Sequence, residues 1–361
     1  MAKVVVIGAA GYVGVHLCRE LRNSGNEVVG ITHSNGRLLL DSLGVDCRAP
    51  EDYQSIGTVN AVVNLAYPSA GSPLDYPAEN RKLLSMIEFF ASRRSKVVHV
   101  STQAVFGFAF DYPIVCGPLK DRLDYPYVQT KVELENLLMQ HVGGRSGLHI
   151  VRLGNVWGPG SSTWTTNLVN KISWEQPVGV RNLDGFCNAT DVQNVASYVK
   201  FLLEKDSTAG THYHHLAELS DLKWSHWTSL IAATLGRNLV YADASPSKPV
   251  GKWVEFRRAL SIASPASVGA HMLQERYLGS LMRSVLGRLP KDFVNSVRNL
   301  RAPTSFLPKE HQRSDDGVFL DLMSCNIQFS SVVEKDWTPP VNAELSWKNV
   351  RQWIEYAGYL K

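Results

Sequence analysis

The stretch KVVVIGAAGYVGVHLCRELRNSGNEVVGIT, residues 3–32, decides the fold of this chain. It begins with a run of apolar β-branched residues, Val4 to Ile7, which is typical of a parallel strand that is buried on both faces. Glycines then recur with the spacing G-x-x-G-x-x-G, apolar residues follow at helical spacing, and Gly25 follows as a helix stop. A second apolar run covers Val28 to Ile31. The stretch therefore predicts a strand, a helix and a second strand.

The three glycines predict a binding site for a dinucleotide cofactor. Gly8 permits a tight turn out of the strand, Gly11 lets a pyrophosphate approach the backbone, and Gly14 lets the helix lie close to the sheet. The first turn of the helix then offers unpaired N–H groups to the phosphates. The alternative is a glycine-rich turn without a ligand. The predicted cofactor contacts in this stretch are Gly8, Gly11, Tyr12, Val13 and Gly14.

The end of the second strand favours NADP over NAD. An NAD site commonly has a carboxylate there to hold the ribose 2′-OH, and the stretch GITHSNGR has none. Donor side chains that can hold a 2′-phosphate occupy this stretch instead, since a carboxylate would repel that group. These residues are His33, Ser34, Asn35 and Arg37. NAD stays possible, because a polar loop without a role in discrimination would have the same composition.

Further strands and a helix continue the α/β alternation. Residues 60–67 and 96–103 are predicted as buried strands, and the apolar stripe from Leu83 to Phe90 predicts a crossover helix between them. Ligands in such sheets bind at the carboxyl ends of the strands. The residues expected at these ends, beside the cofactor, are Asp46, Cys47, Leu65, Ala66 and Tyr67.

Five motifs occur in order along the chain. They are GAAGYVG, NLAY, VSTQAVFG (100–107), Tyr127-x-x-x-Lys131 and VRLGNVWGPG (151–160). The set resembles the extended short-chain dehydrogenase/reductases, which include nucleotide-sugar epimerases, dehydratases and 4-ketoreductases. The resemblance covers residues 1–235 and a closing segment, 337–360.

The resemblance implies an α/β fold: a doubly wound parallel-sheet Rossmann domain with a smaller interleaved α/β substrate-binding lobe. The NAD(P)-binding domain is expected over 1–156 and about 186–217. The lobe is expected over about 157–185 and 218–361, with a helical insertion near 250–303.

The resemblance also implies a catalytic triad of Thr102, Tyr127 and Lys131. Hydride transfer at a carbinol carbon needs a group that exchanges the hydroxyl proton, and an ordinary tyrosine has a pKa near ~10. An ammonium one helical turn away, together with a positive nicotinamide ring, is expected to lower the pKa of Tyr127. In the family this lysine also bonds the nicotinamide ribose, and the Ser or Thr orients the substrate oxygen. The alternative is that Thr102 caps a loop and that Tyr127 and Lys131 are a surface pair.

Two departures from the family pattern concern the substrate. Gln103 and Ala104 replace the acidic pair of 4,6-dehydratases, which disfavours that reaction. Asp184 and Gly185 occupy the places where many members have Arg-Asp, and the family arginine grips a substrate phosphate. Arg181 is the nearby substitute, and Asn155 matches a family asparagine near the substrate. The expected substrate contacts are Gln103, Asn155 and Arg181, whereas Asp191 is expected to cap a helix.

Composition adds few constraints. The formal net charge of +4 is too small to imply nucleic acid as a partner, and no apolar run reaches the ~18–20 residues of a membrane span. The five cysteines are scattered singly, so we expect reduced thiols, a cytoplasmic location and no metal site. The histidines of THYHHLAE (211–218) lack further ligands at metal-binding spacing, so no metal is predicted there either.

The segment 269–303 has an apolar helical pattern surrounded by arginines and lysines. Three interpretations remain open for it: helices that cover the substrate pocket, a surface for self-association, or a basic amphipathic helix on an anionic membrane. Residues 243–250 are expected to form a linker and 303–317 an exposed loop. Family members often dimerise through two helices, for which 83–90 and 127–139 are the candidates in a homodimer.

The predicted function is NAD(P)-dependent reduction, oxidation or epimerisation at a carbinol or keto carbon, most readily of a nucleotide-activated sugar. One alternative is a reductase of apolar ketones, resembling steroid or flavonoid enzymes, in which Trp157, Trp164 and Trp174 line the pocket. The other alternative is a non-catalytic NADP-binding sensor, although such proteins commonly lose the Tyr-Lys pair that this chain has.

Overall fold

A computed structural model describes residues 1–33, 36–67, 75–91, 95–107, 114–119, 126–144, 147–206, 209–243, 319–320 and 322–360. Seven parallel strands form the main sheet in the order β3-β2-β1-β4-β5-β6-β10. They are β1 (Lys3–Ile7), β2 (Glu27–Ile31), β3 (Asp46–Arg48), β4 (Ala61–Asn64), β5 (Lys96–Thr102), β6 (Gly147–Leu153) and β10 (Gly210–Leu216). Four short strands form two further pairs: β7 (Asn155–Trp157) with β9 (Ala189–Asp191), and β8 (Pro177–Val180) with β11 (Val240–Ala242).

Helices cover both faces of the main sheet. The helices are α1 (Tyr12–Asn23), α2 (Arg37–Ser42), α3 (Tyr76–Ala91), α4 (Pro126–His141), α5 (Asn167–Ser173), α6 (Val192–Glu204), α7 (Trp224–Leu235) and α8 (Ala343–Tyr356). One apolar core joins the sheet to α1 and α6, and a second joins the opposite face to α3 and α4. This is the doubly wound α/β fold that the sequence predicts.

The chain reverses its direction of growth across the sheet between β1 and β4. From β1 it builds outward through β2 to the edge strand β3, and it then returns to place β4 on the other side of β1. At such a switch point the loops after two neighbouring strands diverge and leave a crevice for a ligand. The glycine-rich turn after β1 and residues 65–67 after β4 meet there.

The predicted strand over 60–67 is shorter in the structure, since β4 ends at Asn64. The Asn64 side chain accepts a hydrogen bond from the backbone N–H of Ala66 at 3.1 Å, which turns the chain out of the sheet. The amide at the strand end is thus a stop that the apolar pattern did not reveal.

A separate aromatic core lies beside the sheet. It gathers buried residues from α5, β8, α7, residues 319–323 and α8 around the stacked rings of Trp157 and Trp227, whose centroids lie 4.7 Å apart. The C-terminal segment also returns to the sheet, where Val332 forms an antiparallel bridge with His215 of β10. The exact domain boundaries stay a prediction, and the expected linker (243–250, apart from Asp243), insertion (250–303) and loop (303–317) lie outside the described residues.

Candidate active site

The glycine-rich turn after β1 leaves no room for side chains. A Cβ on Gly14 would lie 2.4 Å from the carbonyl oxygen of Gly8, and one on Gly8 would lie 2.9 Å from the backbone nitrogen of Ala66. Gly8 also has a φ of +84°, which favours glycine. The turn, the start of α1 and the chain after β4 are therefore packed backbone to backbone.

The first turn of α1 has the features of an anion site. Gly11 is its N-cap and has no side chain to bond the free N–H groups, and the first turn has no acidic residue. The N–H groups of Tyr12, Val13 and Gly14 have no partner within the helix by the geometry of a helix start. The Tyr12 hydroxyl donates instead to the carbonyl of Pro159 at 3.2 Å. A dinucleotide pyrophosphate fits this cradle, in which the backbone alone supplies the donors.

The residues expected to choose between NADP and NAD are only partly described. His33 is exposed just beyond β2, and Arg37 begins α2 with its Nε buried and without a partner among the described residues. Ser34 and Asn35 lie outside the described residues. Asp46 of β3 is engaged with Arg48, whose Nη2 lies 2.9 Å from its carboxylate. Cys47 is partly buried, and burial raises the pKa of its thiol.

A buried histidine that the sequence analysis missed supports the chain after β4. Nδ1 of His99 on β5 lies 3.1 Å from the amide nitrogen of Asn64, and Nε2 of His99 has no partner among the described residues. Burial and the nearby Lys131 hold the pKa of His99 well below its usual range. The neutral ring therefore fixes Asn64, which in turn positions Leu65 and Ala66 against Gly8. A polar residue inside each apolar strand was the signal for this contact.

Tyr127 meets two of its expected neighbours. The Thr102 hydroxyl donates a hydrogen bond to the Tyr127 oxygen, which lowers the pKa of the phenol, but burial outweighs this effect and raises that pKa to about 12. The Tyr67 ring packs edge-on against Tyr127, with centroids 5.3 Å apart. Thr102 also accepts from the backbone N–H of Ala104 at 3.2 Å, so the loop-capping alternative is correct as well. The expected lowering of the Tyr127 pKa does not arise from the protein's own groups, because the cost of burying a phenolate is larger.

Lys131 lies one turn further along α4 and is buried, with an exposed fraction of 5%. Its Nζ lies 4.9 Å from the centroid of the Tyr67 ring. Burial lowers the pKa of Lys131 to about 8, although Glu135 acts in the opposite direction. Tyr67, expected beside the cofactor, thus contacts both Tyr127 and Lys131. The pair is not a surface pair.

The two residues expected beside the substrate bond to each other. Nε2 of Gln103 donates to Oδ1 of Asn155 at 2.9 Å, and Nδ2 of Asn155 donates to the carbonyl of Cys187 at 2.7 Å. Oε1 of Gln103 is buried without a partner among the described residues. That oxygen is free to accept a hydrogen bond from a ligand hydroxyl. Asp191 caps α6 as predicted, accepting from the N–H of Gln193 at 2.8 Å.

Arg181 lies apart from this group, in a pocket of about 450 Å³ between β8, β11 and α7. Its Nε donates to Asp243 at 3.0 Å, and both side chains are largely exposed. Asp184 lines the same pocket but directs its carboxylate to the start of α7, where it accepts from the N–H and the hydroxyl of Ser225 at 3.0 and 2.6 Å. This capping role explains how a carboxylate can occupy the family's arginine position.

The histidines of β10 form a network within the protein. His214 lies between His149 of β6, at 3.0 Å, and the hydroxyl of Tyr198, at 2.8 Å. Within the described ranges, no group of three or more His, Cys, Asp or Glu side chains has the geometry of a metal site. Among the helices that the structure describes, none is long and apolar enough to span a membrane. The basic segment 269–301 lies outside the described residues.

Solved structures with the same fold are nucleotide-sugar enzymes. UDP-N-acetylglucosamine 4-epimerase from Bacillus cereus superposes with a TM-score of 0.53 at 16% identity, covering 73% of this chain and 94% of that chain. ADP-L-glycero-D-manno-heptose-6-epimerase from Helicobacter pylori gives a TM-score of 0.56 at 16% identity, covering 67% and 84%. UDP-glucuronic acid 4-epimerase from Bacillus cereus, in complex with NAD, gives 0.55 at 19%, covering 66% and 85%.

At these identities the neighbours show the fold alone. A search of curated proteins gives no significant match. The family model for the NAD dependent epimerase/dehydratase family, in contrast, matches residues 4–214, which is more than half of the chain. That span contains the glycine-rich turn, Thr102, Tyr127 and Lys131. The chain therefore belongs to the NAD-dependent epimerase/dehydratase family of extended short-chain dehydrogenase/reductases.

Proposed function

We propose that this protein is an epimerase or 4-ketoreductase that acts on a carbinol or keto carbon of a nucleotide-activated sugar. The observation that carries the proposal is the arrangement around Tyr127. Its hydroxyl accepts a hydrogen bond from Thr102, and the aromatic ring of Tyr67 bridges it to the buried Lys131. A structural tyrosine has no need of a buried ammonium nearby, because burying that charge costs free energy.

Each of the three residues has a separate task. Thr102 donates a hydrogen bond that orients the reacting oxygen, and Tyr127 gives a proton to that oxygen on reduction or takes it on oxidation. Lys131 holds the cofactor ribose and stabilises the phenolate that results. The bound nicotinamide supplies or accepts the hydride at the same carbon, and its positive oxidised ring lowers the pKa of Tyr127 from the value that burial imposes.

The neighbours of Thr102 oppose 4,6-dehydration. That reaction needs an acid and a base to remove water, and Gln103 and Ala104 provide neither. The amide of Gln103, fixed by Asn155, can instead bind a sugar hydroxyl through its unpaired Oε1. The site therefore fits redox chemistry at one carbon better than elimination.

For the cofactor, we propose NADP in preference to NAD. The support is the absence of a carboxylate from the stretch GITHSNGR and the presence of Arg37 at the start of α2. The family model is NAD-dependent, so the two cofactors must be compared directly. Fluorescence titration of the protein with each reduced cofactor measures the preference, and tighter binding of NADH would overturn this assignment.

For the substrate, we propose that the pocket beside Arg181 receives the nucleotide portion. Arg181 is exposed there, and its pair with Asp243 is weak enough to be exchanged for a phosphate. Apolar side chains of Val178, Trp224 and Met323 line the same pocket.

The apolar lining favours one second candidate, reduction of an apolar ketone. Trp157 does not support it, because its ring is in the core, and Trp174 is 67% exposed. Competition by free UDP, GDP and dTDP separates the candidates. Inhibition by one of them supports a nucleotide sugar, and no inhibition by any supports the apolar ketone.

The direct test compares two tyrosine variants. Tyr127→Phe keeps the ring but removes the proton, so turnover is expected to fall about 100- to 10,000-fold, while cofactor affinity stays unchanged. Tyr53→Phe is the matched control, since Tyr53 packs against Phe89 away from the site. Product formation from UDP-, GDP- and dTDP-sugars is measured with NAD and NADP, and near-wild-type turnover by Tyr127→Phe would contradict the proposal.

The assembly and location are also proposals. Helices α3 and α4 pack side by side on one face of the sheet, and a homodimer would add the same two helices from a second copy. Light scattering of the purified protein measures the mass, and fractionation of the producing cells tests the cytoplasmic location. A monomer at micromolar concentration would remove the dimer from this account.

A further inference from the structure

A buried ion pair lies one helical turn beyond Lys131. The Glu135 carboxylate on α4 accepts from Nη2 of Arg152 at 2.7 Å and from Nε of Arg152 at 3.2 Å. It also accepts from the hydroxyl of Ser101 on β5. The side chains of Glu135 and Arg152 are 1% and 0% exposed. A complete carboxylate–guanidinium pair is therefore enclosed between α4, β5 and β6.

Arg152 is held from every side. Its two terminal nitrogens donate to the carbonyls of Val115 and Gly117, each at 2.8 Å. Its guanidinium carbon lies 5.2 Å from the Phe106 ring centroid and 5.0 Å from that of Tyr213. The guanidinium has little freedom to move, so the carboxylate that it grips is also fixed relative to α4.

Stability alone gives no strong reason for this pair. Replacing a buried ion pair by apolar residues of similar volume is often neutral or stabilising, because two charges must be taken out of water. The pair lies next to a residue of the candidate triad, and its carboxylate acts on that residue: Glu135 raises the pKa of Lys131 against the effect of burial.

The surroundings of Lys131 otherwise offer little to hold its charge. Tyr67 faces it from the turn after β4, and His99 from β5 is held neutral. Arg152 lies beyond Glu135 on β6, and Tyr127 lies one turn earlier on α4. Within the described part of the chain, Glu135 is the one anionic group that acts on Lys131.

We propose that Glu135 is a positioning residue that keeps Lys131 in its charged form at the pH of catalysis. The inference rests on the proposed function for its meaning, since a charged Lys131 is needed to stabilise the phenolate of Tyr127. Arg152 and Ser101 hold the carboxylate in place, and Arg152 at the same time ties the segment 114–119 to the sheet. A purely structural pair would fix that segment without affecting Lys131.

The test follows the ionisation of Lys131 directly and needs no substrate. Protein labelled with ¹³C-lysine is titrated by NMR, and the Cε signal of Lys131 is identified by its loss in Lys131→Arg. In the wild type this signal is expected to titrate near pH 8. In Glu135→Gln the midpoint is expected to fall by about one pH unit or more, because an opposite charge nearby shifts a pKa by about 1–3 units.

Glu133→Gln is the matched control on the same helix. The Glu133 carboxylate accepts from the Asn80 side chain on α3 at 2.8 Å, so it serves a different contact, and its removal is expected to leave the Lys131 midpoint unchanged. If Glu135→Gln does not fold, Glu135→Gln combined with Arg152→Met removes both buried charges and again predicts a lowered midpoint. An unchanged midpoint in either folded variant overturns the proposal.

The pH profile of turnover provides a second measurement. Lysine is charged below its pKa, so a lower pKa in Glu135→Gln moves the alkaline loss of activity to lower pH by the same interval. A structural role alone would reduce activity at every pH without moving that limb. If the wild type transfers no hydride to any nucleotide sugar, the proposed function fails, and the NMR titration still decides whether Glu135 holds the charge of Lys131.

Discussion

The main sheet and the aromatic core differ in the residues that they bury. No tryptophan precedes residue 157, and the sheet instead buries four histidines, His99, His149, His214 and His215. The aromatic core buries Trp157, Trp224 and Trp227, and its one described histidine, His226, is exposed. The sheet therefore depends on neutral imidazoles within a core of β-branched residues, whereas the second core depends on the shape of large rings.

Acid is expected to act on the sheet first and to have the largest effect. Burial lowers the pKa of His149 to about 3 and those of His214 and His215 to about 4, and it holds that of His99 well below its usual range. The unfolded chain binds protons at these sites near pH 6.5 and the folded chain does not. Stability is therefore complete above pH 6.5 and is lost as the pH falls, by about 1–2 kcal/mol per neutral histidine between pH 7 and pH 5.

Urea unfolding at several pH values measures this loss, with far-ultraviolet circular dichroism and tryptophan emission recorded together. His149→Gln keeps a hydrogen-bonding group but cannot titrate, so its stability is expected to fall less steeply with pH. His226→Gln is the exposed control. If tryptophan emission changes at a higher pH than the sheet signal does, the aromatic core is the acid-sensitive part and the comparison is reversed.

Truncation of a core tryptophan is expected to act on the other region. Trp227→Ala removes a fully buried ring that stacks on Trp157, and a cavity of that kind costs about 3–5 kcal/mol. Trp174→Ala removes a ring that is 67% exposed and is expected to change stability by less than about 0.5 kcal/mol. Urea midpoints give both values. Equal losses in the two variants would show that the aromatic core does not stabilise the protein.

The glycine-rich turn allows a test confined to the cofactor side. A methyl group on Gly14 would meet the carbonyl oxygens of Gly8 and Ala9 at 2.4 and 2.5 Å, whereas one on Gly144 would meet nothing within 4 Å. Gly14→Ala must shift α1 away from the turn and is expected to weaken cofactor binding about 100-fold, or about 2.7 kcal/mol. Gly144→Ala is expected to bind normally. Fluorescence titration with reduced cofactor decides, and equal affinities would mean that the turn does not hold the cofactor.

The sequence predicted the sheet side well because backbone requirements leave a pattern in the chain. A parallel strand buried on both faces needs an apolar run, and the backbone contact between Gly8, Gly14 and α1 needs glycine at fixed positions. Tyr127 and Lys131 could be paired for the same reason, since four positions on a helix fix which side chains share a face.

Contacts between distant segments leave no such pattern. Glu135 and Arg152 are 17 positions apart, and Trp157 and Trp227 come from elements separated by α5 and α6. The role of Asp184 could not be predicted either, because nothing in its neighbourhood of sequence indicates that it caps α7. The pKa of Tyr127 differed from expectation since spacing reports neighbours but not burial.

Arg181 tests whether the two regions also have separate ligands, and its effect is expected to be the smallest. Arg181→Gln removes an exposed cation from the pocket beside β8, so the KM for a nucleotide sugar is expected to rise about 5- to 10-fold with turnover unchanged, or about 1 kcal/mol. Arg237→Gln is the matched control, because Arg237 is also exposed and also pairs with one carboxylate, that of Glu175 at 3.7 Å. Steady-state kinetics with substrate and cofactor varied in turn measure both constants. An effect on cofactor affinity instead of substrate KM would mean that the pocket communicates with the sheet, because a side chain that contacts only the substrate has no other route to that constant.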